Sequence, residues 1–419
     1  VVGGRRLSVV PGASSATAGR PVAPGVFFAV VAILLLAVNL RTGVGGLSPL
    51  ASTIGEEIPL SAASLGALGI AAPLGFALAG VLAPSAAHRF GLERTLVAAL
   101  VAMIAGHLVR AAAADVATLL TGSLIVLLGA GFGNILLPSA VKRYAPNRIA
   151  ALTAAYGTAM SIGAALPPLV AVPIAAGADW RASLAVWSVV AVAALVPWTV
   201  LAVRARRVAT RGGDTPTAPD ARGAIALARS RTVWGITIGF GLSSVSAYAL
   251  FALLPEVLRE GAGVGPAVAG ALVALFGILG LPLALTVPGL TARLRTPTPL
   301  LTAATVLFGV GWGGLWLAPA LAPVVWVAAI GLGQIAFPLG LTLIGLRTRT
   351  DRSAAAVSGF VQTVGYLAAA AVPPVLGLLR DTSGSWSASM ALMTVLTVAT
   401  ATAIPLLRRA RYVDDEIAR

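Results

Sequence analysis

Residues 131–138 read Gly-Phe-Gly-Asn-Ile-Leu-Leu-Pro, and residues 331–338 read Gly-Leu-Gly-Gln-Ile-Ala-Phe-Pro. The pattern G-x-G-[NQ]-I-x-x-P thus returns after 200 residues. Each copy lies inside a long apolar run. The next run of each half carries a second echo, Pro167-Pro168 against Pro373-Pro374. Matching motifs on matching apolar runs imply a duplicated unit, and two such units around a central site are a transport plan. The Gly and Pro residues inside these runs permit close helix packing and bending.

Working outward from the two copies, apolar runs of about 20 residues, enough to cross a bilayer core, recur along the whole chain. Twelve are readable, at 25–50, 62–83, 94–113, 116–141, 150–175, 182–203, 232–255, 266–289, 298–318, 322–346, 353–378 and 386–407. They are numbered spans 1–12 below. Between spans 6 and 7 lies RARRVATRGGDTPTAPDARGAIALARSR, residues 204–231, which is polar and Arg-rich. It reads as a linker with a short interfacial helix near its end. The expected fold is therefore an all-α membrane protein, twelve transmembrane helices in two six-helix pseudo-repeats. The expected organisation is a disordered stretch at 1–24, a first bundle at 25–203, the linker at 204–231, a second bundle at 232–407 and a tail at 408–419. Residues 1–24 lack the apolar core of a signal peptide, so span 1 reads as a retained helix.

Composition agrees with this class. Of 419 residues, 58% are hydrophobic and 10% charged, against about 25% charged in soluble domains. That excludes an ordinary soluble enzyme, a disordered chain and a nucleic-acid-binding module. Cysteine is absent, which removes disulfides, thiolate metal sites and cysteine nucleophiles. His88 and His107 lie far apart in sequence and form no metal pair, and no cofactor is expected. The net charge of +15 has a different origin. With the N-terminus inside, 24 of the 29 basic residues fall on inner segments and four, Arg110, Arg181, Arg259 and Arg380, on outer ones. This positive-inside pattern places both termini in the cytoplasm of a bacterial cell, in its inner membrane.

The remaining basic residue is Arg41, inside span 1. In a span over 26–48 it lies about 6 Å past the centre. A charge there costs about 3 kcal/mol or more unless it faces protein or water. No carboxylate occupies the middle of any span; the nearest is Glu256, at the outer end of span 7. The guanidinium is therefore available for a small anion with oxygen or nitrogen acceptors; the alternative reading is a snorkelling or purely structural arginine. The missing acid also disfavours a cationic-drug/proton antiporter and an intramembrane enzyme. Polar residues that could line a pocket with Arg41 are Gln362 and Tyr366, an i,i+4 pair on span 11, Ser244 and Tyr248 on span 7, Asn134 on span 4, Tyr156 on span 5 and Gln334 on span 10. Each could instead be a bond between helices. Asn39 lies about 200° around the helix from Arg41 and reads as a brace to a neighbour. Trp312 and Trp316 read as packing or lipid-facing, and His107 with Arg110 as interfacial anchors at the outer end of span 3. Lys142, Arg143 and Arg148 read as inner-face topology charges that contact anionic lipid.

Three motifs carry a resemblance. They are Asn39-Leu-Arg41-Thr-Gly-Val-Gly-Gly-Leu-Ser-Pro49-Leu, Gly133-Asn134-Ile-Leu-Leu-Pro138-Ser-Ala-Val-Lys142-Arg143, and Gln362-Thr-Val-Gly365-Tyr366-Leu-Ala-Ala followed by Pro374. The twelve-span plan resembles the major facilitator superfamily, and these motifs are similar to those of its cyanate/2-nitroimidazole transporter family. Two departures stand out. Pro84 replaces the acid usual in the superfamily's loop between spans 2 and 3, and Ser243-Ser244 replaces the family's Q-S in span 7. The resemblance implies a secondary active transporter, not an enzyme, moving a small anion or small polar nitrogen compound by alternating access. The partners expected are that small-molecule substrate, membrane lipid and a proton or counter-ion; no nucleic acid is expected, and a monomer is. An exporter of hydrophobic drugs or other small organic compounds, and a non-transporting membrane receptor, are the alternative readings.

Overall fold

The computed structural model describes residues 24–60, 62–212, 221–409 and 411–418. Among these residues the regular structure is helical, without strands. Among the described residues, twelve helical spans are long and apolar enough to cross a membrane. Most run past the apolar limits read from the sequence. Span 2 reaches Phe90, and span 6 runs from Trp180 to Gly212, into the stretch read as linker. Arginine is a good helix former, and its long stem keeps the charge in water while the helix continues. A nine-residue helix, Ala221–Arg229, then leads into span 7, Arg231–Ala262. The expected disorder at 1–24 falls almost wholly outside the described residues.

Three runs read as continuous are broken. Span 1 stops at Gly45, followed by a 3-10 turn at Ser48–Leu50 and a short helix at Ala51–Glu57. Span 12 is interrupted between Ser387–Thr400 and Ala403–Leu407. Span 10 divides into Pro323–Gly333 and Ala336–Leu346.

The break in span 10 follows from its repeat motif. Pro338 has no N–H to give to the Gln334 carbonyl four residues back. The Phe337 N–H takes that carbonyl instead, at 3.0 Å, and tightens the turn. Span 4 carries the same proline, Pro138, yet runs unbroken from Val116 to Tyr144. There the orphaned Asn134 carbonyl is met by the Gln362 side chain from span 11, at 3.4 Å. One motif thus leaves one carbonyl free in each half, and the halves satisfy it differently.

The halves, spans 1–6 and 7–12, meet chiefly where span 2 packs on span 11 and span 5 on span 8. Glycine makes the first contact possible. A Cβ on Gly359 would lie 2.5 Å from the Gly80 carbonyl and from Pro84, and one on Gly80 would lie 2.9 Å from the Gly359 carbonyl. Pro84, where the superfamily usually has an acid, is thus packed against the other half.

Candidate functional site

Arg41 is half-buried between the two halves. Its guanidinium carbon lies 5.8 Å from the ring centre of Phe76 on span 2 and 5.8 Å from that of Phe337 on span 10. Both distances are within cation–π range. Its charge also acts on the hydroxyls of Tyr248 and Tyr366. Among the described residues no carboxylate forms an ion pair with it. Beside it the Tyr366 ring packs edge-on against Phe76 at 5.1 Å, Phe240 at 5.5 Å and Tyr248 at 6.3 Å. A fixed cation thus sits in an aromatic-walled space built from both halves.

Below it lies a buried amide cluster. Asn134 Nδ2 donates to Gln362 Oε1 at 2.6 Å and to the Tyr366 hydroxyl at 3.1 Å. Gln362 Nε2 donates to Ser358 Oγ at 2.8 Å. These bonds fix the Tyr366 ring beside Arg41. The structure therefore brings together Arg41, Tyr248, Tyr366, Gln362 and Asn134. Gln334 is used otherwise. It accepts from the Ser243 hydroxyl and donates to the Ser243 carbonyl at 3.3 Å, tying spans 7 and 10 within one half. Tyr156 and Ser244 are buried with hydroxyls that have no hydrogen-bond partner. Asn39 braces span 6, giving a hydrogen bond to the Val190 carbonyl at 3.1 Å.

The sequence reading did not single out Phe76 or Phe337. Phe337 had a signal, since it precedes the motif proline and so follows the turn that the proline forces. Phe76 had none. The reading of His107 and Arg110 as interfacial anchors is corrected: both are enclosed in protein, at 0% and 2% exposure. Gly106 and Gly122 draw spans 3 and 4 together so tightly that a Cβ on Gly122 would lie 2.7 Å from Arg110. Arg110 Nη1 reaches the Gly43 carbonyl at 2.9 Å, one of the last carbonyls of span 1. Such carbonyls lack intrahelical partners, and a cation suits that end of the helix dipole. Trp312 is buried and bonds to Ser246 Oγ at 3.2 Å, whereas Trp316 is partly exposed.

Polar contacts also close one end of the bundle, the end bearing the 221–229 helix. Ser139 Oγ donates to the Asp351 carbonyl at 2.7 Å. Lys142 Nζ donates to the carbonyls of Thr348 at 2.6 Å and Gly345 at 3.1 Å. Arg143 pairs with Glu93 at 2.7 Å within its half and with Asp351 at 2.5 Å in the other. Lys142 and Arg143 therefore bridge the two halves at this end. At the opposite end the described ion pairs stay within one half, Arg181–Glu57 at 2.7 Å and Arg380–Glu260 at 2.8 Å.

The comparisons with known proteins give the family of this twelve-span fold. Residues 33–373 match the Major Facilitator Superfamily. The chain belongs to that family. It is 34% identical over 371 residues to the 2-nitroimidazole transporter of Escherichia coli (strain K12), covering 88% of this chain and 92% of that one. It is 31% identical over 364 residues to the cyanate transport protein CynX of the same organism, covering 84% and 90%. Its fold is similar to that of the proton:xylose symporter XylE, with a TM-score of 0.74 over 94% of this chain and 98% of that one, at 15% identity. As a major facilitator transporter it is a multi-pass membrane protein, and the resemblance of its motifs to the cyanate/2-nitroimidazole group is matched by these relatives.

Proposed function

We propose that this transporter carries a small anion or a small polar nitrogen compound by alternating access, with Arg41 as the anchor for the ligand. The observation that carries the reading is the half-buried Arg41 guanidinium, held between Phe76 and Phe337 with no described carboxylate to neutralise it. A planar guanidinium binds oxyanions and nitrogen acceptors in a forked geometry. Rings on both sides favour a flat ligand. Tyr248 and Tyr366 add hydroxyls beside the charge, while Asn134 and Gln362 act through Tyr366. The free hydroxyls of Tyr156 and Ser244 are further polar groups for the ligand or its water. The names of the two relatives, a nitroimidazole transporter and a cyanate transport protein, support the same substrate class.

In this reading the bundles 25–203 and 232–407 rock about the site, joined by the linker 204–231. Each chain holds both halves of the site, so a monomer suffices. The positive-inside pattern supports an orientation in a bacterial inner membrane with the gated end and both termini on the cytoplasmic side. Anion uptake then opposes the membrane potential by about 2.3 kcal/mol per charge per 100 mV, so uptake requires a proton or counter-ion. Proteoliposome flux of cyanate, nitrate, small carboxylates and 2-nitroimidazole tests the reading. Flux of at least one is expected, and Arg41→Ala should abolish it. Anion flux unchanged in Arg41→Ala would remove Arg41 from the site.

A further inference from the structure

Beside the gated end, where span 7 begins and span 12 stops, lies a cavity of about 450 Å³. The same measure admits one water at roughly 15 Å³, so the cavity has room for a phosphate group and more. It is lined by Arg231, Arg408, Arg409, Arg411, Glu416 and the apolar pair Pro405 and Leu406. The four arginines are exposed, and none forms an ion pair with a described carboxylate. The one acid is already engaged. Glu416 accepts from Ser230 Oγ at 2.6 Å, Thr232 Oγ1 at 2.9 Å and the Thr232 N–H at 3.2 Å. Three other basic residues of this end are engaged, Lys142 and Arg143 with the facing half and Arg349 by Asp415 at 2.9 Å.

The apolar members say which kind of anion fits. Val395 and Val398 on the longer part of span 12, Thr402 in its break and Pro405 on the short helix beyond are all exposed; Val395 and Val398 are 61% and 67% so. In a membrane protein that stripe faces acyl chains. It runs directly into the cavity, so the arginines sit where the chains of a lipid end and its headgroup begins. Guanidinium groups bind phosphate oxygens bidentately, and basic pockets at this level hold anionic headgroups.

We infer that this cavity binds the headgroup phosphate of an anionic phospholipid, with its acyl chains along the Val395–Val398–Pro405 face of span 12. The site is separate from Arg41 and independent of the substrate.

The test uses the full chain purified in detergent, with melting temperature read against added phosphatidylglycerol, phosphatidylcholine or glycerol 3-phosphate. Phosphatidylglycerol should raise the melting temperature more than phosphatidylcholine, and glycerol 3-phosphate should not. Arg408→Gln with Arg409→Gln should raise the phosphatidylglycerol concentration needed for a given melting-temperature shift roughly five-fold per arginine removed, leaving the response to phosphatidylcholine unchanged. Arg231→Gln alone should raise that concentration by less. Arg94→Gln, the same single charge loss on an exposed residue outside the cavity, should not. A phosphatidylglycerol response that survives the double substitution, or that Arg94→Gln reduces as much as Arg231→Gln does, overturns the site. An equal response to glycerol 3-phosphate overturns the lipid.

Discussion

Asn134 and Gln362 bond to each other twice across the interface between the two halves, Nδ2 to Oε1 at 2.6 Å and Nε2 back to the Asn134 carbonyl at 3.4 Å. The second bond exists because Pro138 leaves that carbonyl without its helical donor. Both side chains are buried, at 3% and 0% exposure, and Asn134 also holds the Tyr366 hydroxyl. Asn134→Ala should therefore strand a buried acceptor on Gln362 and lower stability by about 1–2 kcal/mol. Gln362→Ala should cost a similar amount. The double substitution should cost less than the sum of the two, which melting temperatures of the four proteins will show. Additive losses would mean that the pair is not coupled.

The closed gate should open when its cross-half contacts are weakened. Asp351→Asn removes the partner that Arg143 has in the other half. Gly80→Ala places a methyl group against the Gly359 carbonyl and pushes spans 2 and 11 apart. The chain has no cysteine, so a single Ser139→Cys at the seam, carried by every protein compared, reports access with no other thiol to label. Both substitutions should speed its alkylation several-fold. The Asp351→Asn effect should shrink at high salt, which screens the wild-type ion pair, and the Gly80→Ala effect should not. Unchanged labelling in both would show that these contacts do not hold the gate.

Arg110 should be a stability residue. Arg110→Gln removes the donor to the Gly43 carbonyl and leaves it enclosed, at a cost of about 1–3 kcal/mol. The loss falls on the end of span 1 two residues beyond Arg41. A lower melting temperature is expected, together with weaker stabilisation of the protein by its ligand. A melting temperature equal to wild type would place Arg110 outside the packing of span 1.

The tail should respond to acid. Burial acts to raise the Glu416 pKa, but hydrogen bonds from Ser230 and Thr232, with the nearby Arg411 charge, hold it below the ordinary carboxylate value. A carboxylate lowered in the folded state stabilises above its unfolded pKa, about 4.3, and loses that contribution as pH falls through the folded value. Docking of the Val413–Ile417 helix should therefore hold at neutral and mildly acidic pH and weaken below about pH 4. Hydrogen exchange over 411–418 measures it. Glu416→Gln should loosen the tail at neutral pH and flatten its pH dependence.

Much of this was legible in the sequence because a membrane imposes simple rules. A length of apolar residues is a span, arginine outside the spans reports orientation, and an arginine inside one demands a reason. The repeated G-x-G-[NQ]-I-x-x-P located the helices that carry Asn134 and Phe337, and the i,i+4 spacing of Gln362 and Tyr366 put them on one face. Other features depend on which helices touch. His107 and Arg110 looked interfacial from their depth, since depth is a property of one helix, whereas burial depends on Gly106 and Gly122 letting a second helix close over them. Glu93, Arg143 and Asp351 lie on three different helices, so sequence spacing could not assemble the gate.

By itself, then, the sequence determined the membrane class, the duplicated halves and the one central arginine, because these follow from hydropathy, periodicity and the cost of charge in hydrocarbon. The tertiary structure decided the rest. It set Phe76 and Phe337 on either side of Arg41, gave Gln334 to a bond within one half and Asn134 to a bond between halves, and closed the bundle at one end. Contacts between separate helices fix each of these, and their partners are chosen by packing in three dimensions, not by distance along the chain.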